Sequence, residues 1–199
     1  MSKELILNRK IVLASTSPFR RELLSKLGIS FEVFAPHVDE SALSGEPAAA
    51  AATRLAIAKA TAALARFPNA VAIGSDQVAE LNGEHIGKPG SHENAVKQLR
   101  NMRGKSVIFH TALSLVDGLS KHVQTCVVPT SVTFRNLTDA QIESYLRREQ
   151  PYNCAGSAKS EGLGIALIAR MDISDPNALI GLPLIELISM LKNIGIEVI

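Results

Sequence analysis

Apolar runs bounded by turn residues alternate along the chain with segments of helical periodicity. The first run, Ile11–Ala14, is long enough for a buried strand. Hydroxyl residues follow it, and Ser17 suits the N-cap of a helix whose first residue is Pro18. Leucines then recur at helical spacing up to Gly28, a residue typical of a helix end. The pattern therefore predicts a strand, a hydroxyl-rich turn and a helix.

The same alternation continues to the end of the chain. Further strands are predicted at 31–33, 70–81, 106–116, 122–134 and 165–169, and further helices at 48–66, 92–102, 139–148 and from 183 onward. We find no internal repeat and no low-complexity linker between these segments. The alternation predicts a single α/β domain over residues 1–199, with a central mixed β-sheet flanked by helices.

The dipeptide Asn82-Gly83 is the reason for predicting a mixed sheet. Asn-Gly between two strand-like segments is a strong signal for an antiparallel hairpin. A two-residue turn there, continued in step along both strands, sets Gln77 opposite Lys88 and brings Asp76 beside them.

Composition narrows the classes of function. The chain has 199 residues, 46% hydrophobic and 20% charged, so a packed core is expected. A net charge of +2, the absence of tryptophan and the few aromatic residues argue against a nucleic-acid surface. No apolar stretch reaches membrane-spanning length, and the first ten residues lack the pattern of a signal peptide. Cys126 and Cys154 are isolated, which is typical of reduced thiols in a cytoplasmic protein.

Ser15, Arg20 and Arg21 lie around the start of the first predicted helix, where an anion could bind. A helix start offers unpaired backbone N–H groups and the positive end of the helix dipole. Hydroxyl groups add donors, and the forked charge of arginine matches phosphate oxygens. A capped helix with two solvated arginines explains the same residues, and on this stretch alone it is the commoner case.

Carboxylates and lysines elsewhere add to this chemistry. Asp76 follows an apolar strand directly, and a carboxylate at a strand end in an α/β protein can bind a metal ion or accept a proton from water. Glu40 is a second candidate metal ligand, and Lys59 and Lys88 could reach phosphates. Taken one at a time, each has an ordinary explanation, as a turn or loop carboxylate or as a solvent-facing lysine.

The glycine-rich segment 155–164 carries Lys159 and Glu161, and its backbone can approach a ligand closely. The histidines lack metal-ligand spacing, and no serine-hydrolase, P-loop or dinucleotide-binding motif is present.

Several cations and two carboxylates at turns and element ends together fit hydrolysis of a triphosphate. The cations would hold phosphates, a carboxylate-bound metal would neutralise charge, and a carboxylate would activate water.

Seven motifs run in order along nearly the whole chain. They are LASTSPFRRELL at 13–24, VDE at 38–40, KA at 59–60, GSDQV at 74–78, GKP at 87–89, CAGSAKSEG at 154–162 and IGLPL at 180–184. In this combination they resemble the Maf family of nucleotide pyrophosphatases. The resemblance implies a fold of the Maf and ITPase type, with two lobes around a cleft, in a protein that is often a homodimer. It also implies cleavage of a nucleoside triphosphate to the monophosphate and pyrophosphate, with a divalent cation, Mg²⁺ or Mn²⁺.

The resemblance assigns roles by position. Asp76 matches the proton acceptor that activates water for attack on the α-phosphorus. Glu40 and Asp76 match acidic positions near the metal. The phosphate-site positions are Ser15, Arg20, Arg21, Lys59 and Lys88.

Phe19, Gln77 and Glu161 match the positions that vary with substrate between branches of the family. The branch acting on dTTP and UTP typically has Arg, Thr and Gln there, and this chain departs from it at all three. It is similar instead to the YceF-type branch, which hydrolyses 7-methyl-GTP. Phe19 could stack on the cationic 7-methylguanine ring, and Glu161 could accept hydrogen bonds from its N1–H and amino group.

Two alternatives stay open at this point. One is the same reaction on dTTP, UTP or other modified nucleotides. The other is a non-catalytic nucleic-acid-binding regulator of cell division, against which the low net charge and scarce aromatic residues count.

Overall fold

The computed structural model of the protein describes residues 9–199. Within this range the strands are β1 (Ile11–Ala14), β2 (Glu32–Phe34), β3 (Val71–Leu81), β4 (Glu84–Ile86), β5 (Ser106–Asp117), β6 (Val123–Phe134) and β7 (Ile168–Asp172). The α-helices are α1 (Pro18–Ser25), α2 (Ala48–Leu64), α3 (His92–Met102), α4 (Asp139–Glu149), α5 (Pro176–Ile180) and α6 (Leu184–Asn193). Short 3₁₀ helices lie at Ala155–Ser157 and Leu163–Leu167.

The described strands form one sheet in the order β2-β1-β3-β5-β6-β7, with β4 paired to β3. Strand β1 runs parallel to β2 and β3. Strand β4 is antiparallel to β3, and β7 is antiparallel to β6. Both kinds of pairing in one sheet confirm the predicted mixed α/β class.

The hairpin between β3 and β4 turns at Asn82 and Gly83, whose φ angles of 55° and 85° suit a type I′ turn. Its register is the predicted one. The ladder ends at Ile86, however, so Gln77 and Lys88 are not paired in it. Strand β4 stops early because the Lys-Pro-Gly segment after it lacks a backbone donor at proline and favours a turn.

The chain divides into two compact units. Of the described residues, unit 1 takes in 9–76, Thr111–Val128 and Asp175–Ile199, and unit 2 takes in Gln77–His110 and Pro129–Ser174. Strands β3, β5 and β6 therefore contribute residues to both units.

The core of unit 1 lies on both faces of its strands. One cluster joins β1, β3 and β5 to α1 and α6, and its fully buried members include Leu13, Leu24, Ile73, Leu113 and Leu187. A second cluster joins the same strands to α2, and its members include Val12, Ala14, Ala60, Ala72 and Val116. Neighbouring strand residues fall in different clusters because successive side chains point to opposite faces.

Helix starts in unit 2 follow the predicted caps. Ser91 accepts a hydrogen bond from the Asn94 amide and caps α3. Thr138 and Gln141 form a capping box at the start of α4. His92 then contacts the hydroxyl of Tyr152 at 3.0 Å and the carboxylate of Glu143 at 2.9 Å, which links α3 to α4 and the loop after it.

Two local predictions near the end of the chain are wrong or incomplete. The strand predicted at 165–169 lies instead at Ile168–Asp172, and Leu163–Leu167 is a 3₁₀ helix. A Cβ atom on Gly164 would lie 2.4 Å from the carbonyl oxygen of Lys159, so the chain folds back there before it can extend. Helix α5 was not predicted, although Asp175 before Pro176 is a recognisable helix start, and its carboxylate accepts from the Asn177 amide.

Candidate active site

Unit 1 places the ammonium group of Lys59 between two carboxylates. Its Nζ atom lies 2.6 Å from Asp76 Oδ1 and 2.6 Å from Glu40 Oε1. Lys59 and Asp76 are only 6% and 8% exposed, whereas the Glu40 side chain is 54% exposed. Burying an isolated charge is costly, so this ammonium depends on its carboxylate partners. The ordinary explanation of Lys59 as a solvent-facing lysine is therefore wrong.

Close packing of α2 on β3 makes this contact. A Cβ atom on Gly74 would lie 2.2 Å from the carbonyl oxygen of Ala56 and 2.6 Å from the amide nitrogen of Ala60. Both alanines are fully buried. Gly74 lies two residues before Asp76 in β3, and Lys59 lies between the two alanines in sequence. Small residues on both elements thus bring the lysine within reach of the carboxylate.

Arg20 brings a second cation to the same carboxylates. It lies in the first turn of α1, and its Nε atom donates to the carbonyl oxygen of Gly181 at 2.8 Å. Burial lowers the pKa of the Arg20 guanidinium, and the negative charges of Asp76 and Glu40 oppose that shift. Arginine stays protonated in proteins. Arg20 therefore supplies a fixed positive charge that is coupled to both acidic groups.

Ser75 and the carbonyl of Gly181 hold the elements around Arg20 together. Ser75 is fully buried, and its Oγ atom lies 2.8 Å from the carbonyl oxygens of both Ala112 and Gly181. Gly181 has a φ angle of 127°, a backbone conformation that favours glycine. Ser75 and Gly181 were not predicted as functional residues, although Ser75 lies inside the motif GSDQV and Gly181 inside the motif IGLPL.

The turn before α1 is held by its own hydroxyl groups. Ser15 is 4% exposed, and its Oγ atom accepts from the Ser17 amide at 3.1 Å. Ser17 Oγ accepts in turn from the Arg20 amide and caps α1, as predicted. Phe19 is half-buried and Arg21 is exposed. Of the two predicted arginines, it is thus Arg20 that the structure brings to the acidic groups.

Arg54 attaches the loop that carries Glu40 to α2. It donates two hydrogen bonds of 2.8 Å to the Glu46 carboxylate and one of 3.1 Å to the Ser41 carbonyl. Residues 35–47 form no helix or strand, so side-chain contacts determine where this loop lies. Forked pairing of arginine with a carboxylate is well suited to that purpose. Arg54 and Glu46 were not predicted as functional residues, because nothing in the sequence around either residue indicates that the two side chains meet.

The remaining predicted site residues belong to unit 2. Lys88 and Glu161 are exposed, and Gln77 is half-buried in β3. The charges of Glu161, Lys159 and Lys88 all act on the thiol of Cys154, so these three side chains lie in the neighbourhood of Cys154. Burial and then the negative charge of Glu161 raise the pKa of Cys154. A raised pKa keeps a thiol protonated and unreactive at neutral pH.

The acidic groups of unit 1 fit one kind of metal site. Among residues 9–199, no group of three or more His, Cys, Asp or Glu side chains could hold a metal ion by itself. Mg²⁺ in phosphate chemistry commonly takes only one or two protein carboxylates and completes its shell with phosphate oxygens and water. Asp76 and Glu40, which share one lysine, supply that number of carboxylates.

Comparison with known proteins adds independent information. Residues 10–194 match a family described as Maf-like protein. Similar relatives include proteins named 7-methyl-GTP pyrophosphatase. That of Methylobacillus flagellatus is 58% identical over 95% of this chain and 98% of its own length, and that of Albidiferax ferrireducens is 56% identical over 97% of each. Among solved structures, the Staphylococcus aureus Ham1 protein is similar over 64% of this chain and 73% of that chain, with 21% identity and a TM-score of 0.46.

The family match spans almost the whole described chain, and the relatives exceed half identity over nearly their full length. The chain belongs to the Maf family.

Proposed function

We propose that this protein hydrolyses a nucleoside triphosphate, 7-methyl-GTP, to the nucleoside monophosphate and pyrophosphate. The observation that carries the proposal is the Lys59 ammonium held between Asp76 and Glu40, with the Arg20 charge coupled to both. Two cations beside two carboxylates suit an anionic substrate that is attacked by water. The choice of nucleotide is supported by relatives named 7-methyl-GTP pyrophosphatase that are 56–58% identical to this chain.

Asp76 is proposed as the proton acceptor for the attacking water. Lys59 engages its Oδ1 atom at 2.6 Å and so fixes the carboxylate in one orientation, with Oδ2 as the oxygen that takes the proton. Water then attacks the α-phosphorus, the bond from this phosphorus to the bridging oxygen breaks, and pyrophosphate leaves with the electron pair. Arg20 and Lys59 supply positive charge for the phosphate oxygens, with Ser15, Arg21 and Lys88 as further proposed phosphate contacts.

We propose Mg²⁺ or Mn²⁺ as the cofactor, held by Asp76 and Glu40. When bound, the ion would neutralise charge on the phosphates and orient the water. Replacing Glu40 by glutamine should raise the Mg²⁺ concentration needed for half-maximal activity by about tenfold, because changes around a bound metal commonly cost tenfold or more in affinity. Activity measured over a Mg²⁺ titration at fixed nucleotide tests this.

Glu32→Gln is the matched control for that titration. Glu32 is also an exposed carboxylate paired to a lysine in unit 1, with its Oε1 atom 2.8 Å from Lys10 Nζ. Its removal should leave the Mg²⁺ dependence unchanged. An identical Mg²⁺ dependence for Glu40→Gln and the unaltered protein would remove Glu40 from the metal site.

Recognition of the base is proposed to involve Phe19, Gln77 and Glu161. Stacking on Phe19 and hydrogen bonding to the Glu161 carboxylate both favour a cationic ring over a neutral one. We expect kcat/KM to be highest for 7-methyl-GTP in a panel with GTP, dTTP and UTP. We expect Glu161→Gln to lower the preference for 7-methyl-GTP over GTP by about fivefold, because a charge-assisted hydrogen bond becomes a neutral one. A preference for dTTP or UTP would contradict the proposed substrate.

The proposed setting of the reaction is a cytoplasmic protein that forms a homodimer. No helix among residues 9–199 is both long enough and apolar enough to cross a membrane.

A role in binding nucleic acid is the rival proposal. Filter binding across salt concentrations would separate the two, since binding to a phosphate backbone weakens steeply with salt.

A further inference from the structure

The segment from Lys159 to Gly164 is a closed turn with Glu161 near its tip. The amide of Gly162 donates to the carbonyl of Lys159 at 3.1 Å. A Cβ atom on Gly164 would lie 2.4 Å from the carbonyl oxygen and 2.6 Å from the amide nitrogen of Lys159. The backbone therefore doubles back on itself without room for a larger residue. Glu161, between these contacts, is exposed.

Glu149, the last residue of α4, holds both sides of this turn. Its Oε1 atom accepts from Lys159 Nζ at 2.9 Å, and its Oε2 atom accepts from the Leu163 amide at 2.7 Å. A Cβ atom on Gly162 would lie 2.8 Å from Oε2 and 2.9 Å from Oε1 of Glu149, so the carboxylate packs directly against the turn. The Glu149 side chain is only 14% exposed.

The charges around the turn are arranged asymmetrically. The negative charges of Glu149 and Glu161 both act on the Lys159 ammonium, but Lys159 forms its ion pair with Glu149. The hydrogen bond from Lys159 lowers the pKa of Glu149, and the same bond raises the pKa of Lys159. The ion pairs of the described residues, in contrast, do not include Glu161. The Lys159 ammonium, two residues away in sequence, is the nearest cation along the chain that could neutralise Glu161.

We propose that Glu149 is a specificity-determining positioning residue. By pairing with Lys159 and with the Leu163 amide, it keeps the Lys159 ammonium away from Glu161. The Glu161 carboxylate then retains its full negative charge for a substrate base that carries positive charge. This inference rests on the proposed function, in which Glu161 recognises the base of 7-methyl-GTP.

The variant Glu149→Gln tests this by removing the charge while keeping an oxygen acceptor for the Leu163 amide. Lys159 should then pair with Glu161, and the ratio of kcat/KM for 7-methyl-GTP to that for GTP should fall about two- to fivefold, the size expected for one partly exposed ion pair. The double variant Glu149→Gln with Lys159→Gln removes the competing cation and should restore the ratio.

Glu143→Gln is the control. Glu143 lies on the same helix and pairs with Arg147 at 2.7 Å, so this variant removes a carboxylate charge from α4 without touching the turn. The ratio should be unchanged. Lys159→Gln alone provides a second test should Glu149→Gln fold poorly, and it should leave the ratio equal or higher.

The outcomes separate the two proposals. If the unaltered protein does not prefer 7-methyl-GTP, or if Glu161→Gln leaves the preference intact, the proposed base recognition fails. If Glu161→Gln lowers the preference but Glu149→Gln does not, the inference about Glu149 is overturned. A fall with Glu149→Gln that Lys159→Gln does not reverse, or a fall with Lys159→Gln alone, likewise overturns it.

Discussion

Replacing Asp76 by asparagine should lower kcat by about 10²–10⁴-fold, because the general base is lost. Nucleotide binding should largely survive, because Arg20 and Lys59 still supply positive charge for the phosphates. The amide oxygen of asparagine can still accept a hydrogen bond from Lys59. Glu40, 2.6 Å from the same ammonium, still balances its buried charge. The fold is therefore expected to persist. Pyrophosphate release measures turnover, and calorimetric titration with 7-methyl-GTP measures binding.

Asp139→Asn is the control for Asp76→Asn. Asp139 is an exposed carboxylate at the start of α4, paired with Arg100 and Arg103. Its replacement should leave kcat unchanged. Turnover by Asp76→Asn at the rate of the unaltered protein would show that Asp76 is not the proton acceptor.

Replacing Asp117 by alanine should destabilise the protein by about 3–5 kcal/mol, the cost of leaving one member of a buried ion pair without its partner. Asp117 pairs with Arg9 through both of its carboxylate oxygens, and the two side chains are 7% and 3% exposed. Ser120 and the Leu119 amide also donate to Asp117. Urea unfolding at neutral pH measures the loss.

Asp172→Ala is the matched control for Asp117→Ala. Asp172 also pairs with an arginine, Arg170, at 2.7 Å, but their side chains are 55% and 73% exposed. Exposed pairs contribute about 0–1 kcal/mol, so this variant should unfold almost like the unaltered protein. Equal losses for the two variants would show that burial does not set the strength of the Arg9–Asp117 pair.

The contribution of Asp117 should also persist into mildly acidic solution. Hydrogen bonds from Arg9 hold the pKa of Asp117 well below its usual range, against the opposing effect of burial. A carboxyl with a lowered pKa in the folded state stabilises above its unfolded pKa, about 3.9, and loses that effect as pH falls through the folded value. The difference between Asp117→Ala and the unaltered protein should therefore be equal at pH 7 and pH 5, and should shrink only below about pH 4.

Predictions that depended on neighbouring residues were confirmed. Ser17, Ser91 and Thr138 cap the helices that they were predicted to begin, because an N-cap is a contact between residues two or three apart. Asn82 and Gly83 form the predicted turn, because its positive φ angles suit those two residues. The seven motifs likewise indicated the family that the comparisons support.

Predictions that depended on how far an apolar run extends were less accurate. The run at 165–169 was expected to be a strand, yet its first residues form a 3₁₀ helix because the chain closes back on Lys159. Periodicity over so few residues cannot distinguish these two outcomes. The pairing of Gln77 with Lys88 failed for a similar reason, since the ladder length depends on the proline and glycine after β4.

The sequence by itself determined most of the strands and helices in their order, the N-caps of α1, α3 and α4, the turn at Asn82-Gly83, the mixed sheet and the family. These follow from residues close together in the chain or from the order of motifs. Only the tertiary structure decided that Lys59 is buried against Asp76 and Glu40, that Gly181 accepts from Arg20, and that Glu149 holds the turn around Glu161. In the contacts of Lys59 and of Arg20, the two partners lie 17 or more residues apart in the sequence. Such contacts arise when elements that are separated along the chain pack together, as α2 packs on β3 through Gly74, Ala56 and Ala60, and no local pattern encodes them.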